Sequence, residues 1–333
     1  MCDTGVHWHQ MPGKKNLEQQ MEALDALRQQ DEKTRIQVLR DRLSSRNNLL
    51  AARAADLVRE FDLQQLTPQL LQAFDHFFQN PEKSDPQCWA KNAISRALAA
   101  FGYQEHEVFL RGMRHVQMEP VWGGRSDTAG TLRSICALAL VQCRSLSECD
   151  LLALLIELIA DKDKTVRVEV VRAIEQVGSP SASLLLRLRA VLQSDEPEVL
   201  GACYGGVLRI EGVKAIPWVA QFLSSTDDNA AEAALAIAGT HSPEAFQPLQ
   251  GSFAKARDNW WCSILLSALA LTRQNAAIEF LLDLVRTESL NAEAAIEAIV
   301  RSGPTRETMS LLEKIVTANP RLARALSATR NAG

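Results

Sequence analysis

Three stretches of the 333-residue chain align without a gap: DPQCWAKNAISRALAAFG (85–102), DTAGTLRSICALALVQCR (127–144) and DKDKTVRVEVVRAIEQVG (161–178). Each opens on an aspartate (Asp85, Asp127, Asp161). Each carries a basic residue six positions on (Lys91, Arg133, Arg167), followed by Ala and then Leu or Ile (Ala97-Leu98, Ala139-Leu140, Ala173-Ile174). Such self-similarity limits a chain to folds that stack one supersecondary unit many times, because a single unit is too small to bury its own apolar face. No other feature of the sequence is as restrictive.

Looser copies follow: DEPEVLGACYGGVLRIEG (195–212), with Gly201 at the basic position, then AAEAALAIAG (230–239), DNWWCSILLSALALTR (258–273) and AEAAIEAIVRSG (292–303). The period is about 34 residues. Between these copies lie second segments with apolar residues at i, i+3 and i+4: 106–116, 148–160, 182–193, 215–223, 243–256, 276–285 and 307–316. That spacing is the signature of a helix packed on one face, so each unit reads as helix–turn–helix. Gly102, Gly178, Gly212 and Gly303 stand where a first helix should stop and a left-handed residue is favoured. The aspartates, including Asp195, stand where one should start and can accept the free N–H groups there. Pro86 and Pro197 fall close to a helix start, where a missing N–H costs little. Aromatics make up only 5% of the chain, against the usage expected of a strand-rich protein.

A starting Asp, a basic residue six positions on and a following Ala-Leu or Ala-Ile pair resemble HEAT repeats. The pattern is strongest over 85–178 and looser to 316; its closest flavour is the short bacterial type called PBS-lyase-like. The resemblance implies an all-α, right-handed α-solenoid of about seven to eight repeats. It also implies a structural ladder along the turns, here Asp85, Lys91, Asp127, Arg133, Asp161 and Arg167. Gly201 and the region 222–240 depart from that ladder. Many proteins of this kind are binding scaffolds, and the repeat does not by itself imply bilin chemistry.

The expected organisation is a disordered tail over 1–15, capping helices over 16–45, the solenoid over 46–320 and a helix end with a polar tail over 321–333. Residues 47–61 and 67–79 read as a degenerate first repeat, and NPEKSDP (80–86) as the turn into the next.

Several function classes are disfavoured. The formal net charge of −4 lacks the basic excess of a phosphate-binding surface, so nucleic acid is an unlikely partner. None of the seven cysteines forms a Cys-x-x-Cys pair; Cys136, Cys203 and Cys262 lie in apolar runs as small hydrophobes. His7, Trp8 and His9 with Cys2 and Asp3 form a weak chelating set, and the remaining histidines show no ligand spacing. We expect no catalytic residues, metal or cofactor. The longest apolar run, 151–160, is interrupted by Glu157 and is too short to span a bilayer. With no positive region followed by an apolar stretch at the N-terminus, no signal peptide is expected, and a reducing cytoplasmic setting is the default.

Candidate contact residues come from three places. The step from Asp85 to Asp127 is eight residues longer than the next, and the surplus lies in VQMEPVWGGRS (116–126). Gly123, Gly124, the N–H groups near Thr128 and Arg125 could face an anion there, although Asp127 competes for the same N–H groups. The alternative is a solvated loop with Trp122 packed on the ridge. Most tryptophans are expected to serve packing, but adjacent Trp260 and Trp261 cannot face the same way on a helix. Second helices line the concave face of a HEAT solenoid. Arg111, Arg114 and His115 fall on one, Arg187 and Arg189 on another, and Lys255 and Arg257 by a third, interleaved with carboxylates. The mixed sign suits a protein or short acidic peptide. The leading expectation is therefore a non-catalytic scaffold contacting its partner through Arg111, Arg114, His115, Trp122, Arg125, Arg187, Arg189 and Trp260. The competing classes are nucleic-acid binding of the kind seen in HEAT-like DNA glycosylases, and a bilin-lyase-like enzyme.

Overall fold

The computed structural model describes residues 12–331, and these form an all-α chain interrupted by one short hairpin. The chain divides into two compact units, Met1–Val170 and Val171–Gly333.

In the first unit, α1 (Pro12–Asp25) begins inside the stretch expected as a tail. Proline suits a first helical position because its missing N–H would be unpaired there anyway. The rest of that tail lies outside the described residues, and with it Cys2, Asp3, His7, Trp8 and His9. Helix α2 (Glu32–Leu43) starts where Asp31 accepts the N–H of Thr34 at 3.0 Å. Next come α3 (Asn48–Glu60), capped by Asn47, α4 (Thr67–Phe77), the single turn α5 (Pro81–Ser84), α6 (Trp89–Ala100) and α7 (His106–Met113). The hairpin β1 (Met118–Val121) and β2 (Gly124–Asp127) leads into α8 (Gly130–Leu140) and α9 (Glu148–Ile156), and α10 (Lys164–Val177) contains the division at Val170.

First helices stack on one another, α3 against α6 and α6 against α8, while α7 packs on α8. Alanines make this close approach possible: α3 buries Ala51, Ala54 and Ala55 beside Leu50, Leu57 and Val58. Full burial of a Leu or Ile such as Leu98 or Ile94 is worth about 1.5–3 kcal/mol each. Gly112 sets the α7–α8 spacing, since a Cβ there would collide with the Cys136 sulfur.

The second unit holds α11 (Pro180–Leu192), α12 (Pro197–Glu211), α13 (Ile216–Val219), α14 (Asp228–Ala238), α15 (Phe246–Lys255), α16 (Asn259–Leu271), α17 (Asn275–Arg286), α18 (Ala292–Arg301), α19 (Arg306–Val316) and α20 (Pro320–Asn331). Helices α12, α14, α16 and α18 stack in sequence order, and α20 packs on α18 through buried Leu322 and Leu326. The final helix expected near the end of the chain is α20, which runs through Asn331. The segment 215–223 yields one α-helical turn, with Pro217 at its start, between 3-10 turns. Gly102, Gly178, Gly212 and Gly303 take φ of +63°, +71°, +70° and +68° at the helix ends. Within each unit the first helices stack in sequence order with second helices packed beside them, the arrangement of an α-solenoid.

Candidate protein-interaction surfaces

The ladder residues lie along the turns of the first unit. Asp85 and Lys91 are fully buried and paired at 3.0 Å. Asp85 also accepts the N–H groups of Ala90 (2.9 Å) and Lys91 (3.0 Å), so it caps α6 from four residues before its start. Asp127 likewise precedes α8 by three residues, accepting the N–H groups of Ala129 and Gln117, each at 3.0 Å. Arg133 donates to Asp127 at 2.7 Å and forks onto Asp161 at 2.8 and 3.0 Å. Its remaining reach goes to the His115 carbonyl at 3.0 Å. Arg167 donates to the Asp161 carbonyl at 2.5 Å. Burial works to raise the Asp127 carboxyl, but the Gln117 and Ala129 N–H groups and then Arg133 outweigh it and hold it below the usual carboxylate range.

Lysine has one ammonium where arginine has a fork. Lys91 Nζ is spent on Asp85 and on the Phe77 carbonyl at 3.3 Å. The step from Asp85 to Asp127 is made instead by Gln117: its side-chain amide donates to the Asp85 carbonyl at 2.9 Å, and its backbone N–H donates to Asp127.

The enlarged segment is a β-hairpin, with Glu119 opposite Ser126 and Val121 opposite Gly124 around a Trp122-Gly123 turn. Gly123 supplies the positive φ, +89°, that this turn requires. The anion-loop reading fails here: the Thr128 N–H is taken by the Gln117 carbonyl at 2.9 Å, the Ala129 N–H by Asp127, and the glycines sit at the hairpin turn rather than at a helix start. Glu119 is buried, and its Oε1 accepts from the Gln87 N–H (2.7 Å), Gln117 (2.5 Å) and Thr128 (2.9 Å). Burial pushes that carboxyl up, and those hydrogen bonds more than reverse it. Gln87 and Cys88 are consecutive left-handed non-glycine residues, φ +58° and +56°, at a cost of about 1–2 kcal/mol each. Glu119 therefore ties the hairpin to a strained turn.

The other expected contact residues mostly meet partners inside the chain. Arg111 pairs with Asp75 at 2.6 Å and lies 4.0 Å over the Phe78 ring. Arg114 pairs with Glu157 at 2.5 Å. His115 accepts or donates at 3.0 Å with Gln117, and burial lowers its pKa, favouring the neutral ring. Arg125 pairs with Glu82 at 2.9 Å. Arg187 pairs with Glu211 at 2.5 Å and lies 4.3 Å over Trp218, and Arg189 pairs with Asp195. Arg111, Arg114, Arg125, Arg187 and Arg189 are thus each held in an ion pair within the chain, while Arg257 donates to the Ala254 and Ala256 carbonyls.

The apolar surface is different. Trp122 is fully exposed (104%) rather than packed, Trp260 is 43% exposed beside buried Trp261 (2%), and Trp89 is half exposed. Of these four, only Trp261 serves the core. On α11 an unforeseen stripe stands out: Leu184 (67% exposed), Leu188 (60%), Val191 (59%) and Leu192 (57%). Positions i, i+4, i+7 and i+8 share one face, while Ala182, Ser183, Leu186 and Ala190 bury the other against α12. Sequence periodicity could not separate the two, because LLLRLRAVL is apolar nearly all round.

Among the described residues no group of His, Cys, Asp and Glu could hold a metal ion, and no helix is long and apolar enough to cross a membrane. Burial pushes the Cys88, Cys136 and Cys203 thiols to about 12, which leaves them protonated and unreactive. No curated protein matches the chain. The family model for HEAT repeats matches residues 151–238, from within α9 to the end of α14. Residues 151–238 are thus similar to HEAT repeats, and the stacked helices of the chain are consistent with that likeness.

Proposed function

We propose that this chain is a non-catalytic scaffold that binds a protein partner along its second helices and inter-repeat segments. HEAT repeats generally serve as protein-interaction scaffolds. The observation that carries the reading is the α11 stripe: four aliphatic side chains, each more than half exposed on one helix face, form the kind of contiguous apolar patch that marks an interaction site. Arg187 and Arg189 flank it, each held in place by a carboxylate, so they would present fixed donors at a polar rim. Trp122 and Trp260 add exposed aromatic anchors, a residue type enriched in interface hot spots. The free cysteines at 88, 136, 143, 149, 203 and 262 fit a reducing, cytoplasmic setting.

The test targets the stripe, because charge reversal at Arg187 or Arg189 would break internal pairs as well. The whole chain is immobilised and captured proteins are identified by mass spectrometry, with a Leu184→Glu, Leu188→Glu double variant beside it. A partner enriched by the native chain should fall by about tenfold or more on the variant. Equal capture by both forms, or enrichment of nothing by either, would sink the proposal.

A further inference from the structure

In the first unit, a cleft of ≈ 520 Å³ lies between the hairpin and α6, in the size range of ligand pockets. One wall is the hairpin face carrying Glu119, Val121 and Ser126. The other is the α6 ridge Trp89, Asn92 and Arg96, spaced so that all three share one helix face. Three features of that ridge are unexplained by the fold. Trp89 is half exposed to the cleft. Asn92 is only 8% exposed, yet its Oδ1 is buried without a hydrogen-bond partner. A buried acceptor left unpaired costs about 1–3 kcal/mol, and such groups are rare in folded chains. Arg96 reaches one carboxylate, Asp56, at 3.7 Å, too far for a hydrogen bond, and Asp56 Oδ1 is shared with Arg59 at 3.6 Å without a hydrogen bond to either. Its guanidinium donors are therefore available.

An apolar platform, a buried acceptor awaiting a donor and a cation with a free fork describe the complement of an extended acidic peptide. We infer that this cleft docks a protein segment through an Asp or Glu side chain. The carboxylate meets the Arg96 fork, a backbone N–H beside it donates to Asn92 Oδ1, and a neighbouring apolar side chain lies on Trp89 and Val121. Charge-assisted bidentate pairing gives the carboxylate its preference. Glu119 also lines the cleft as a carboxylate, but its Oε1 is held by three donors of the chain, which fixes it on the hairpin wall away from the Arg96 ridge. This inference rests on the scaffold reading only in taking the occupant to be a protein.

Fluorescein-labelled, C-terminally amidated octapeptides carrying one Asp or Glu between apolar residues serve as probes, with matched Asn or Gln peptides as controls. Fluorescence polarisation on the full chain should show acidic peptides binding about tenfold more tightly than their neutral counterparts. Arg96→Gln should erase that preference. Trp89→Ala should weaken acidic and neutral peptides alike. Urea unfolding is measured in parallel, so that the cost of truncating half-buried Trp89 is separated from its effect on binding. Equal binding of acidic and neutral peptides, an Arg96→Gln variant that keeps the preference, or a requirement for a free C-terminal carboxylate would each overturn the assignment. The Leu184→Glu, Leu188→Glu variant should bind the octapeptides normally. Loss of the cleft result with stripe-dependent capture intact removes only this inference, and the reverse outcome removes only the α11 surface.

Discussion

Two joints between neighbouring repeats, one in each unit, solve the same problem with opposite chemistry. In the first, Arg133 is nearly buried between Asp127 and Asp161 and also satisfies the His115 carbonyl. In the second, Gly201 stands where the basic residue would be. A Cβ on Gly201 would run into the Glu232 carboxylate of the next first helix. Glycine there lets α14 come close to α12, and these helices pack closely with no basic residue at position 201. Burial, followed by the charges of Glu198 and Asp228, pushes the Glu232 carboxyl above its ordinary value. Stacking of first helices is therefore what repeats share. The ladder cation is a local device that makes buried carboxylates tolerable: in the second joint Arg189 serves Asp195 from the preceding helix, and Glu232, with only carboxylates acting on it, is raised.

The sharpest way to break this comparison is Arg133→Met. It keeps apolar bulk but leaves Asp127 and Asp161 facing each other without a cation, and an orphaned buried charge costs about 3–5 kcal/mol. Asp127 is partly exposed, which places the expectation near the lower end, about 3 kcal/mol by urea denaturation. A loss below about 1 kcal/mol would mean that both joints rely on stacking alone.

That joint was also the most legible part of the sequence. Asp127, Arg133, Asp161 and Arg167 announced themselves through spacing, because a ladder repeats a chemical requirement at every turn. The spacing nonetheless predicts helix starts at the aspartates, whereas α6 begins at Trp89 and α8 at Gly130, with left-handed Gln87 and Cys88 intervening in the first case. Backbone strain of that kind has no residue signature. The hairpin was hidden for a related reason: four-residue strands containing Pro120 and Gly124 offer almost no alternation to read. Candidate contact residues fared differently according to their chemistry. Arginines were visible as charges, but only three dimensions show that Glu157, Glu211 and Asp195 already occupy three of them. The α11 leucines were visible as apolar, but only the packing shows which face α12 leaves uncovered.

A smaller effect, of opposite sign, sharpens the contrast. Glu232→Gln removes the charge that the second joint disfavours, so at neutral pH it should stabilise the chain by about 0.5 kcal/mol. The pH dependence follows from the direction of each shift. With its folded pKa raised above 4.5, the protonated Glu232 carboxyl contributes stability that is fully present below that value and is lost as pH rises through the folded pKa. The advantage of Glu232→Gln should therefore shrink as pH is lowered toward 4.5. Asp127 behaves in reverse: with a folded pKa lowered below 3.8, its contribution is present above 3.8 and disappears as pH falls through the folded value. Unfolding curves for native and Glu232→Gln chains at several pH values check this, and an advantage that grows on acidification contradicts the assignment.

The smallest expected effect concerns the one joint that carries an insertion. Gln117 and Glu119 bind the hairpin into the Asp85–Asp127 step, so the base of the hairpin belongs to the solenoid. Trp122, three residues beyond Glu119, projects wholly into solvent. If the base and the tip are separable, Trp122→Ala should leave the unfolding midpoint unchanged within about 0.5 kcal/mol, in contrast to the loss at Arg133 eleven residues along the chain. Removing an exposed indole leaves no cavity and no unpaired group, so a structural role predicts a cost that this geometry does not provide. A destabilisation above about 1 kcal/mol would show that the indole packs on the repeat, returning the hairpin tip to the joint and withdrawing Trp122 from the interaction surface.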